Sequence, residues 1–191
     1  MIRKVVFRHP TLRGAVRAAP AVALAAMVAA CAGAAPGTTP PIVPGSTDAP
    51  REVNLITRDY SFVPGVLDLV PGETIRLHVI NGGLAVHEAV IGDASVQEAW
   101  ETAEAATVGA PPGPTPLVTV PAGREGLRVV VQSGERIDVT WTVPSAAVGS
   151  ALGPPGWLVG CHIPGHWARG MQIPIRWVSP GSAGATRFVA R

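Results

Sequence analysis

From Glu52 the chain alternates between apolar and polar positions. Glu52-Val53-Asn54-Leu55-Ile56-Thr57 has the period of two of a half-buried strand. Val66 to Val70 is a short apolar run, and Pro71-Gly72 turns the chain. Thr74 to Val79 alternates again, which puts Arg76 and His78 on its polar face. Asn81-Gly82-Gly83 is a further turn, and His87 to Ile91 reads as a strand. So do Leu127 to Val131, Glu135 to Val143, Trp157 to Gly160 and Gln172 to Val178. Short strands with frequent turn signals predict an antiparallel sandwich or barrel. One stretch differs. Ser95-Val96-Gln97-Glu98 fits a capping box, and Ser95 to Val108 is rich in Ala and Glu, which predicts a short helix. Pro111-Pro112-Gly113-Pro114 ends it, so 94–116 reads as an insertion between strands. Pro174 cannot donate to a ladder, which predicts an edge or a bulge in the last strand.

The front of the chain reads as an address. A basic stretch, Met1 to Arg17, precedes an apolar run of about 13 residues, Ala18 to Ala30, short of the roughly 20 that span a bilayer. The run ends in Val28-Ala29-Ala30-Cys31, which resembles the lipobox of bacterial lipoproteins, where the Cys is lipidated. The bland alternative is an ordinary secretory peptide. Both place the protein outside the cytoplasm. The expected organisation is a signal peptide over 1–30, a flexible tether over 31–50, one domain over 51–178 and a C-terminal tail over 179–191. A coil of the tether's length spans about 25 Å.

The address also changes the charge. The formal net charge is +2, but five of the bases lie in the first 30 residues. The remainder has ten basic against 13 acidic residues, which excludes a basic nucleic-acid surface.

Chemistry concentrates in Gly160-Cys161-His162-Ile163-Pro164-Gly165-His166-Trp167-Ala168-Arg169-Gly170-Met171, a Cys-x4-His-x4-Met array. His87 lies far upstream at a strand start. Two His and one Cys with a weak axial Met form the ligand set of blue copper. Alone, a Cys or Met in such a sequence is core filler. Behind the address, however, Met171 is the only Met, and Cys161 the only Cys besides Cys31, so no disulfide is available within the domain. Structural zinc takes four Cys or His ligands, and a catalytic Cys-His pair would leave Met171 and His87 without a role.

These residues resemble the cupredoxins, the plastocyanin and azurin superfamily, and more narrowly bacterial exported cupredoxin-like proteins with a CHxPGHxxxGM segment. Asp59-Tyr60-Ser61-Phe62-Val63-Pro64, Pro71-Gly72-Glu73, Asn81-Gly82 and His87 to Asp93 match as well. The resemblance covers roughly 52–178. It implies an all-β, eight-stranded Greek-key β-sandwich with one type 1 copper held by His87, Cys161, His166 and Met171. It further implies that Asn81 ties the ligand loops together and that His166 is the electron port.

The other residues fall around that picture. His162 should point away from the copper, as a loop residue making a hydrogen bond or at the rim. His78 reads as solvated. Trp141 and Trp177 read as core, Trp157 and Trp167 as a shield or docking patch beside the metal, and Trp100 as a pin for the insertion. The helical insertion carries no Met or His, unlike related sequences, which speaks against a copper store. The expected protein is a monomeric, non-enzymatic, lipid-anchored electron carrier with a protein redox partner. Copper homeostasis through the same site is the rival reading.

Overall fold

A computed structural model of the chain describes residues 39–109, 118–145 and 156–184. The expected export signal, Cys31 and the proline run after the helix lie outside these residues. Nine strands and one helix are described: β1 Arg51–Arg58, β2 Ser61–Val63, β3 Leu67–Leu69, β4 Thr74–Asn81, β5 His87–Gly92, α1 Ala94–Ala105, β6 Leu127–Val131, β7 Arg136–Thr142, β8 Leu158–Gly160 and β9 Gln172–Trp177. They form a four-stranded sheet, β2-β1-β4-β7, and a five-stranded sheet, β3-β9-β8-β5-β6. The sheets are mixed rather than purely antiparallel, because β1 pairs with β4 and β3 with β9 in parallel. The protein is a β-sandwich. Its core gathers the inward residues of both sheets, among them Leu55, Leu69, Leu77, Val79, Ala89, Ile91, Val131 and Val159.

The alternation reads through to burial. On β1, Val53, Leu55 and Thr57 are buried, while Glu52 and Asn54 are exposed. β5 is buried along its whole length, so its one carboxylate, Glu88, is an internal group. In β9, Ile175 N–H donates to Trp157 at 3.0 Å. The nitrogen of Pro174, one residue earlier, therefore faces β3, whose pairing starts only at Ile175. The proline sits at a local edge.

Three expectations are corrected. The cap of α1 is Asp93, whose carboxylate accepts from Ser95 N–H at 2.9 Å and Val96 N–H at 3.1 Å, so Ser95 lies inside the first turn. An ionised acceptor two residues upstream outcompetes the Ser95 hydroxyl. His78 is not solvated. It is buried, with Nδ1 2.7 Å from Asp138 and Nε2 bonded to Glu52, because β1 and β7 flank β4 and bring their carboxylates over it. Arg136 and His78 hold the Asp138 carboxyl down at about 2. Residues 41–45, within the expected tether, bond to the domain: Pro41 bridges to Ala183, and Gly45 C=O accepts from Thr74 N–H at 3.0 Å.

Candidate metal centre

The centre is built at one end of the sandwich by the start of β5 and the loop between β8 and β9. Gly160 closes β8, and Cys161 follows directly. The loop then folds back on itself. His166 N–H donates to Ile163 C=O, Trp167–Arg169 forms a single 3-10 turn, and Met171 N–H donates to His166 C=O at 3.2 Å. Cys161 N–H donates to Met171 C=O at 3.1 Å, which locks the two ends of the segment together. Gly165 and Gly170 take φ of 85° and 84°, a left-handed conformation that a side chain would oppose. The contiguous Cys, His and Met are thus delivered by one tight loop.

The loop brings Cys161 and His166 against His87. One donor atom from each lies within 4.8 Å of the others. Cys161 Sγ is 3.3 Å from His166 Nδ1. Cys161, His87 and Met171 are fully buried, and His166 is 8 % exposed. His87 Nδ1 is buried without a hydrogen-bond partner. An unpaired imidazole nitrogen in a dry site costs on the order of 1–3 kcal/mol unless something ligates it.

The electrostatics agree. Burial pushes the Cys161 thiol up to about 12, against a smaller lowering by the Glu88 N–H. Burial also depresses His166 to about 4, with repulsion from His87 and Arg169 adding to it. The imidazole is therefore held neutral and available as a ligand. The thiol, in turn, ionises only if a cation replaces its proton. The group can hold a metal ion.

No family model and no curated protein matches the chain. Among solved structures it is similar to auracyanin B, at 23% identity over 73% of this chain and 99% of that one, with a TM-score of 0.47. It is similar to auracyanin A, a "blue" copper protein from Chloroflexus aurantiacus, at 20% identity over 67% and 100%, TM-score 0.49. An azurin from Methylomonas sp. strain J follows at 17% over 67% and 98%, TM-score 0.49.

The surroundings of the donors were less legible in the sequence. Asn81 accepts from Gly83 N–H at 2.8 Å and donates to Ala85 C=O at 2.8 Å and Val131 C=O at 3.1 Å. It shapes the His87 loop and ties it to β6. The link across to the Cys161 loop is made instead by Glu88. Its backbone N–H donates to Cys161 Sγ at 3.5 Å, and its carboxylate accepts from His162 N–H at 2.9 Å. The other Glu88 oxygen takes Arg128 Nε at 2.6 Å, and Arg128 reaches Glu104 of α1 at 2.8 Å.

His162 points to α1, away from the donors. Its Nδ1 lies 2.8 Å from Glu101 and its Nε2 2.7 Å from Gln97 Oε1. Gln97 Nε2 donates to Val90, Gly92 and Leu158 carbonyls, so its oxygen is the acceptor and His162 Nε2 carries a hydrogen. The expected hydrogen bond is there; the rim position is not. Trp167 stacks on His162 at 4.7 Å, and Trp157 packs with Trp141 and Trp177 rather than beside the donors. Trp100 does pin the insertion, donating to Glu125 C=O at 2.9 Å under the Arg128 guanidinium.

Proposed function

We propose that the chain is a type 1 copper protein of the cell envelope that carries single electrons, with His87, Cys161, His166 and Met171 as ligands and a lipid on Cys31 as anchor. One observation carries the reading: a buried thiol and two buried imidazoles present donor atoms within 4.8 Å of one another, and His87 Nδ1 is buried without a hydrogen-bond partner. A thiolate and imidazoles suit both copper oxidation states. When bound, copper supplies the one-electron couple. The residues do the rest. The two-bond closure of the Cys161–Met171 loop fixes the donors, so they need not move between states. Burial keeps water out, and the Glu88 N–H donates to the sulfur, a contact that tunes the potential. His166, the most exposed of the three donors, is the route for the electron.

A nucleophilic Cys-His pair fits poorly, since a thiol near 12 is inert. Among the described residues the remaining imidazoles, His78 and His162, are engaged elsewhere. No helix among the described residues is long and apolar enough to cross a membrane. An anchor at Cys31 supplies attachment, and a monomer working with a protein redox partner is the expected form.

Titration with Cu(I), paired with electrochemistry, tests the proposal. The expected result is one tightly held copper per chain and a reversible one-electron wave. Two or more ions, or copper passed to chelators faster than electrons are exchanged, would favour copper homeostasis. For the anchor, Cys31→Ser is expected to release the full-length protein from membranes.

A further inference from the structure

The turn between β1 and β2 lies far from the ligand loop in sequence, yet it touches the centre. Asp59 Oδ1 is 3.1 Å from His87 Nε2. The same oxygen accepts from Leu84 N–H at 2.9 Å and Ala85 N–H at 3.1 Å. These two backbone donors hold the carboxylate in place with its oxygen aimed at His87 as an acceptor. Gly83 makes the approach possible, because a Cβ there would stand 2.4 Å from Asp59 Oδ1. The next residue, Tyr60, adopts φ of 68°, rare for a side chain of its size. Its ring meets His166 edge-on at 5.0 Å and His87 at 6.4 Å, and the Arg169 guanidinium lies 4.1 Å above it.

An ionised carboxylate only accepts. His87 Nε2 must therefore carry the ring's hydrogen, and Nδ1 is left with its lone pair. Nδ1 is also the atom that is buried and unpartnered. Carboxylate–imidazole pairs of this kind fix the tautomer and raise ligand basicity in metal sites. We propose that Asp59 is the positioning residue of the centre: it holds His87 as the Nε2–H tautomer, presents Nδ1 to the metal, and favours the more highly charged metal state. This inference rests on the copper reading for its last clause. The tautomer clause holds for the metal-free protein.

The test has two arms. In the metal-free full chain at pH 8, nitrogen NMR of labelled histidine is expected to show His87 as a single Nε2–H tautomer, and Asp59→Ala is expected to populate both tautomers. In the copper-loaded chain, both Asp59→Ala and Asp59→Asn are expected to lose Cu(II) affinity about tenfold more than Cu(I) affinity. Asp59→Asn keeps an acceptor oxygen, so it is expected to retain the tautomer while losing the charge effect. That pattern separates positioning from mere loop support, and it carries the test if Asp59→Ala does not fold. An Nδ1–H tautomer in the parent chain, or an unchanged tautomer in Asp59→Ala, overturns the positioning role. Copper affinities that move in parallel overturn the charge role. A parent chain that binds no copper sinks the copper reading alone, because the NMR arm still decides the tautomer.

Discussion

Replacing Arg128 with Leu removes the one guanidinium, among the described residues, that bonds the carboxylates behind the Cys161 loop. Glu88 is fully buried and Glu104 nearly so, and both take hydrogen bonds from Arg128, at 2.6 and 2.8 Å. Burial already raises the Glu104 pKa, and the Glu88 charge adds to it; Arg128 opposes both. Removing one partner of a buried ion pair costs about 3–5 kcal/mol. The Arg128 side chain is 20% exposed, so the lower end applies, about 3 kcal/mol. That is a large share of the 5–15 kcal/mol typical of a domain. The loss must also depend on pH. Without Arg128 the Glu104 carboxyl, already raised by burial and by the Glu88 charge, rises further above its unfolded value near 4.5. Such a group leaves stability intact below about 4.5 and erodes it as pH climbs through the raised value. Urea unfolding of the metal-free domain is therefore expected to show a deficit of about 3 kcal/mol at pH 8 that shrinks clearly at pH 5. A deficit under about 1 kcal/mol, or one equal at both pH values, would refute the role given to this network.

Gln97→Leu deprives the His162 Nε2–H and three carbonyls of their buried partner, and is expected to cost about 2 kcal/mol in the same unfolding assay. Met171→Leu conserves volume in a fully buried position, so the fold is expected to survive; voltammetry is expected to give a higher potential with the colour largely kept. In the metal-free protein His166 is depressed to about 4 against 6.5 when unfolded, so the unfolded chain takes up the proton first on acidification. Thermal melts are expected to lose stability as pH falls from 6.5 toward 4, and an unchanged melting temperature over that window would contradict the burial of a neutral His166.

What could be read from the sequence was what is local. A period of two placed the strands, since burial alternates with the pleat. Cys161, His166 and Met171 were legible because one loop carries them. His87 was reached only through the ligand set it completes. Asp59, Gln97 and Glu101 were not legible, because their partners lie 28, 65 and 61 residues away and only sheet pairing and helix docking bring them near. Glu88 left a faint signal, a carboxylate in an otherwise apolar strand beside a candidate ligand. His78 misled for the opposite reason. Its polar face was read correctly, but the neighbouring strands cover that face with Glu52 and Asp138.

The central claim is that Cys161 supplies a thiolate to a single copper held also by His87 and His166. The most direct measurement is the visible absorption spectrum of the chain loaded with one equivalent of Cu(II), beside that of Cys161→Ser. An intense blue or green thiolate-to-copper band is expected in the parent and absent from the folded variant. A parent chain that stays colourless with copper bound, or that purifies with zinc from copper-replete cells, would contradict it.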